Sequence, residues 1–251
     1  MDKNSLMINL SDISFAYPGG GAPVLDKVNL ELHQGERVGL IGPNGSGKTT
    51  LLHIIMGLLK PSSGNIEIFG KNVREEKDFR DVRQRIGLLF QDADDQLFNP
   101  TVLEDVAFGP LNLGKPQDEA MEIAHKTLEL LGLSGLGERV TYKLSGGEKK
   151  LVSFATVLAM EPEVLLLDEP TTGLDEATEK RIVDILKGLD FAYIFVSHDI
   201  DLLMETTHRV GYMIDGKVSI DEERVPHTHV HVHEHGRHTH RHALSWPHKK
   251  G

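Results

Sequence analysis

Gly42-Pro43-Asn44-Gly45-Ser46-Gly47-Lys48-Thr49 fits the pattern G-x-x-x-x-G-K-[ST], and its flanks decide the fold. Upstream, Val38 and Leu40 belong to an apolar strand; downstream, Lys48 to about Leu58 reads as a helix that stops at Lys60-Pro61. Strand, glycine-rich loop and helix are the context this pattern requires. Glycines let backbone N–H groups turn inward to cradle phosphate oxygens, and the helix N-terminus adds positive potential. In that geometry Lys48 reaches the β- and γ-phosphates and the Thr49 hydroxyl coordinates Mg2+. A matching second half lies at Val164-Leu165-Leu166-Leu167-Asp168-Glu169-Pro170. Its four apolar residues read as a buried strand with Asp168 at the C-terminal end, where open α/β sheets hold ligands. Asp168 is expected to complete the Mg2+ shell, and Glu169 to orient or deprotonate an attacking water.

Working outward, residues 7–41 alternate apolar and polar and are punctuated by Gly19-Gly20-Gly21 and Gln34-Gly35-Glu36, the pattern of β strands and turns. Short strands are expected at Asn65–Phe69 and Ile86–Phe90, and buried ones at Val164–Leu167 and Ala192–Val196. Residues 101–160 read as helices broken by Pro110, Pro116 and Gly132, and 176–187 as a further helix. This order predicts an α/β fold: a parallel sheet, an antiparallel β subdomain and a helical insertion over about 92–160. The main domain is expected over 6–224, followed by a disordered, histidine-rich tail over 225–251.

Composition narrows the function classes. The 251 residues contain no cysteine, which excludes thiolate metal sites, disulfides and a cysteine nucleophile. No basic-then-apolar leader is visible at Met1-Asp2-Lys3-Asn4-Ser5, and no apolar run approaches the roughly 18–20 residues of a spanning helix. The net charge is −11; from His227 onward Arg237, Arg241, Lys249 and Lys250 face only Glu234, so residues 1–226 carry −14. Such a body repels phosphate backbones and anionic lipid, so no nucleic acid is expected, and membrane contact is expected through protein partners.

Leu144-Ser145-Gly146-Gly147-Glu148, opening a helix between the two phosphate motifs, brings the chain to resemble the ATP-binding subunits of ABC transporters over roughly residues 6–224. The resemblance implies that Tyr17 stacks on adenine, and that Gly42, Pro43, Asn44, Gly45, Ser46, Gly47, Lys48, Thr49, Thr50 and Asp168 hold ATP and Mg2+. It implies that Gln91 touches Mg2+ and the attacking water and senses the membrane partner, that His198 contacts the γ-phosphate, and that Gly173-Leu174-Asp175 contacts the opposite subunit. Glu169, His198, Gln91 and Lys48 are the expected catalytic set, with Thr49, Gln91 and Asp168 around Mg2+. Two subunits of this family face head to tail, so Ser145, Gly146 and Gly147 would meet nucleotide on a second copy. Glu148 stands where the family usually has glutamine, and Lys149-Lys150-Leu151 replaces its usual basic-rich run.

Gln91-Asp92-Ala93-Asp94-Asp95-Gln96-Leu97-Phe98 and Thr101–Pro110 resemble the energy-coupling-factor branch, including its nickel and cobalt importer ATPases. That implies a transmembrane coupling subunit docked near 91–110, a substrate-specific membrane subunit, and a place on the cytoplasmic face of the membrane. Nine of the 14 histidines fall in the last 25 residues. His227, His229, His231, His233 and His235 alternate strictly, and His238, His240 and His242 follow. In an extended chain, positions two apart share a face at about 6.6 Å, and neutral imidazoles suit Ni2+ or Co2+. The reading is an ATP hydrolase driving import of a divalent transition metal, nickel before cobalt. Alternatives are the same ATPase driving vitamin or micronutrient uptake with the tail as a metal buffer, or a soluble nucleotide-switched metal-delivery protein.

Overall fold

The computed structural model describes residues 5–19 and 21–220, and the backbone of 227–233 and 236–242. Three strands open the chain: β1 (Leu6–Phe15), β2 (Leu25–His33) and β3 (Arg37–Ile41). The glycine-rich loop then leads into α1 (Lys48–Ile55), followed by β4 (Ser63–Ile68), β5 (Lys71–Asn72), α2 (Glu76–Arg85) and β6 (Ile86–Leu89). Three helices come next: α3 (Val102–Asn112), α4 (Gln117–Leu130) and α5 (Gly146–Leu158). The second half of the large sheet follows as β7 (Val164–Asp168), α6 (Glu176–Gly188), β8 (Ala192–Val196), α7 (Ile200–Thr206), β9 (Arg209–Ile214) and β10 (Lys217–Ile220).

Two sheets result. An antiparallel one has the order β2-β1-β4-β5. The other has the order β10-β9-β3-β8-β7-β6, parallel from β9 to β6, with β10 added antiparallel at its edge. Both faces of the parallel sheet are covered, which is why its strands are continuous apolar runs rather than alternating ones. In β7, Val164 and Leu166 pack towards α1 and the antiparallel sheet, whereas Leu165 and Leu167 pack towards α3, α4 and α5. The same alternation splits Ile194 and Val196 from Tyr193 and Phe195 in β8.

Two expected breaks need revision. Helix α1 ends at Ile55 rather than near Leu58, because Gly57 takes a φ of +67° and Leu58 N donates back to His53 O at 2.8 Å. A left-handed glycine of this kind closes the last carbonyls of a helix. Pro110 does not break its helix but sits inside α3. It lies in the last turn, two residues from Asn112, so its missing N–H removes a single ladder bond near an end that frays anyway. Pro116 and Gly132, by contrast, flank α4. In the tail, the described backbone pairs β11 (His227–His233) with β12 (Gly236–His242) antiparallel. The remainder of the tail, His235 included, lies outside the described residues.

Candidate active site

Strands β3, β7 and β8 run parallel, so the residues leaving their C-terminal ends meet on one edge of the sheet. The loop after β3 carries Gly42–Gly47, β7 ends in Asp168, and β8 leads to Ser197 and His198. Gly47 caps α1 at a φ of +105°, and a Cβ there would lie 2.7 Å from Leu25 and 2.9 Å from Val24 O. Glycine is therefore required both for conformation and for space. The Lys48 ammonium is buried and donates to Gly42 O at 2.8 Å and Pro43 O at 3.1 Å. Burial holds its pKa below the ordinary lysine value, against the opposing pull of the Glu169 and Asp168 carboxylates.

Asp168 is 3% exposed, and burial pushes its carboxyl above the usual range, with the Thr49 hydroxyl bond acting in the other direction. Its Oδ1 and the Ser46 hydroxyl are buried without a hydrogen-bond partner. An unpaired buried carboxylate oxygen is costly. Beside a threonine hydroxyl it is also the hard-oxygen donor set that a divalent cation such as Mg2+ takes, so the residues present fit that ion. Among the described residues, no group of three or more His, Asp or Glu side chains is gathered for a metal.

Glu169 is the meeting point. Its backbone is left-handed at φ +47°, held by Glu169 N donating to Val196 O at 3.0 Å. Its side chain is 7% exposed and pairs through Oε1 with His198 Nε2. Oε2 accepts from Gln91 Nε2 and from Thr172 Oγ1, each at 3.1 Å. Strain of this kind costs on the order of 1–3 kcal/mol and persists only where the surroundings enforce it. A cleft of about 540 Å³ beside it is lined by Tyr17, Asn44, Gly45, Lys48, Thr49, Thr50, Gln91 and Glu169, among others. Tyr17 is 51% exposed at its mouth, with its hydroxyl 3.1 Å from Thr50 Oγ1.

Ser145, Gly146 and Gly147 are not brought to this cleft. They form the N-terminus of α5, where Ser145 and Gly146 are exposed and Ser145 Oγ accepts from Glu148 N at 3.2 Å. Asp175 caps α6 by accepting from Thr178 N at 3.0 Å and Thr178 Oγ1 at 2.8 Å. No sequence motif marks Thr172, Lys150 or Arg139 as a site residue. Thr172 is three residues beyond Glu169, a spacing that could have flagged it; Lys150 acts across 59 and 60 positions, and Arg139 through a surface ion pair with Glu148.

Residues 25–172 match the family model described as ABC transporter. The chain is 48% identical to an energy-coupling factor transporter ATP-binding protein of Methanothermobacter thermautotrophicus, over 84% of this chain and 69% of that protein. It is 45% identical to a cobalt import ATP-binding protein of Rhodobacter capsulatus, over 82% of this chain and 75% of that one. A solved dimeric ATP-binding cassette in a post-hydrolysis state, bound to ADP and Pi, superposes with a TM-score of 0.78 at 30% identity, covering 86% of this chain and 98% of the other. The phosphate loop, the buried Asp168 and the ring of donors on Glu169 agree with these likenesses: the chain belongs to the ABC transporter family, as an ATP-hydrolysing subunit of the energy-coupling-factor type.

Proposed function

We propose that this chain powers import of a divalent transition metal, nickel before cobalt, as the ATPase of a membrane complex on the cytoplasmic face. The observation that carries the catalytic part is the convergence of His198, Gln91 and Thr172 on the half-strained Glu169, beside the phosphate loop. Gly42–Thr50 bind the phosphates, Tyr17 offers its exposed ring to the base, and Lys48 turns from its loop carbonyls to the phosphates. Thr49, Asp168 and Gln91 would hold Mg2+, which would supply positive charge to offset that of the triphosphate. Glu169 takes a proton from water as the water oxygen bonds to the γ-phosphorus and the bond to the ADP oxygen breaks. His198 and Gln91 fix the carboxylate for that transfer.

The exposed N-terminus of α5 supports a second copy as partner, because Ser145 and Gly147 lie apart from this chain's own cleft. Within 92–111, Phe98 (64% exposed) and Phe108 stack edge to face, centroids 4.7 Å apart, and Asp92, Asp94 and Asp95 are exposed on the same segment. Exposed rings and exposed carboxylates on one segment suit a basic, amphipathic segment of a transmembrane subunit. Among the described residues, no helix is long and apolar enough to cross a membrane.

The tail supports the metal. The β11–β12 register sets His227 opposite His242, His229 opposite His240, His231 opposite His238 and His233 opposite Gly236. Affinity of nitrogen donors rises from cobalt to nickel, which places nickel first. The test is elemental mass spectrometry of cells grown at low external metal, comparing the native chain with Glu169→Gln. Selective loss of nickel or cobalt is expected; unchanged content of every transition metal would overturn metal import and leave vitamin or micronutrient uptake.

A further inference from the structure

Lys150 is a buried cation that the reaction above does not use. It lies on α5, five residues past the Ser145 cap, and is 4% exposed. Its Nζ donates to Phe90 O at 3.2 Å and to Gln91 O at 2.6 Å. Among the described residues, no carboxylate is paired with it directly; Asp168, Asp92 and Glu169 act on it from a distance. Burying an ammonium costs several kcal/mol, and an apolar side chain of similar volume would often be no less stable. A cation kept here on two carbonyls is better explained by what those carbonyls hold in place.

Two further contacts bind the same loop to the same helix. Gln96 Nε2 donates to Ser153 O at 3.0 Å and Thr156 Oγ1 at 2.7 Å, while its Oε1 accepts from Phe90 N at 3.3 Å. Lys149 Nζ pairs with Asp94 Oδ1 at 2.5 Å. Residues 90–96 are thus clipped to α5 at both ends and in the middle, and the clip nearest the chemistry is Lys150. Directly beyond it, the Gln91 amide reaches Glu169 Oε2.

We infer that Lys150 is a positioning residue: it fixes the Gln91 backbone to α5, so that the helix whose N-terminus meets nucleotide on a second copy also sets the glutamine that orients Glu169. The inference rests on the reading of Glu169 as the base and of Gln91 as its partner. A displacement of α5, whether from subunit closure or from docking at 92–98, then reaches Glu169 through one buried hydrogen-bonded side chain.

The test is a double-mutant cycle on ATP hydrolysis by the full chain. Lys150→Met is expected to lower kcat about 10-fold or more with KM for ATP moving less than about 2-fold. Lys150→Arg, which keeps the donor, should stay within about 3-fold of the native chain. In a Gln91→Ala background, adding Lys150→Met should cost less than about 2-fold more, since the residue it positions is gone. Equal losses in both backgrounds, or a loss confined to KM, would overturn the assignment. Binding of a fluorescent ATP analogue reports folding; if the Met variant fails it, Lys150→Gln, which retains one donor, carries the same cycle. Full turnover in Glu169→Gln would sink the base assignment alone, because the cycle reads only the coupling of Lys150 to Gln91.

Discussion

At the scale of single residues, Glu148 is where this chain departs from its family's usual signature glutamine. A carboxylate at the third position of α5 completes a capping box: Glu148 Oε2 accepts from Ser145 N at 2.8 Å, and Ser145 Oγ accepts from Glu148 N. That bond, with the Arg139 guanidinium at 2.7 Å from Oε1, holds the Glu148 carboxyl below its ordinary range. The cap alone would be served by glutamine. What glutamine lacks is a negative charge, which would be unwelcome if, as proposed, a γ-phosphate of a second copy meets this helix end, and Arg139 is placed to offset it. Arg139→Ala should therefore raise KM for ATP several-fold, an effect of about 1 kcal/mol, and Glu148→Gln added to it should restore KM. Steady-state kinetics at low and high salt check this. A rise in KM that persists in the double variant would assign Arg139 to backbone support of Lys143 O instead.

At the scale of elements, the ends of strands are tied by half-buried charge. Glu36, in the turn between β2 and β3, accepts from Arg209 Nε of β9 at 2.6 Å and from His33 N at 2.9 Å. Burial raises the Glu36 pKa, but the Arg209 and His33 hydrogen bonds outweigh it, so the carboxyl ends below its ordinary value. A depressed folded-state pKa contributes stability that is present above the unfolded pKa of about 4.3 and is lost as pH falls through the folded value. Glu36→Gln should cost on the order of 1–2 kcal/mol in urea melts at pH 7, with the difference shrinking towards pH 3. A pH-independent difference would assign the cost to packing. This tie also shows the limit of sequence reading. The β3–α1 unit, β7 and β8 were legible because glycine pattern and apolar runs are local signals. Helix α2, rich in charge, and the short α7, β9 and β10 were not, since packing rather than periodicity supports them. At the site, Asp168, Glu169, Gln91 and His198 followed from motif order, whereas Lys150 binds Gln91 across 59 positions. No local pattern encodes a contact of that separation.

At the scale of the whole molecule, charge and chemistry divide the chain in two. Residues 1–226 hold the −14 charge and five histidines, and the last 25 residues hold nine histidines with a net +3. The proposed hydrolytic machinery, from Tyr17 to His198, lies wholly in the first part. Removing residues 225–251 should then leave ATP turnover within about 2-fold of the full chain, because no group that touches nucleotide is lost. Nickel binding should respond differently. With three cross-strand histidine pairs in register, the full chain should take up more than one equivalent of Ni2+ in equilibrium dialysis at pH 7.5, and the truncated chain far less. Imidazole must be neutral to ligate, so acidification should release the metal from the full chain while the truncated chain shows no such step. Equal uptake by both chains would place the metal on the acidic body, where Asp92, Asp94 and Asp95 are the dense carboxylates, and the histidines would then need another role.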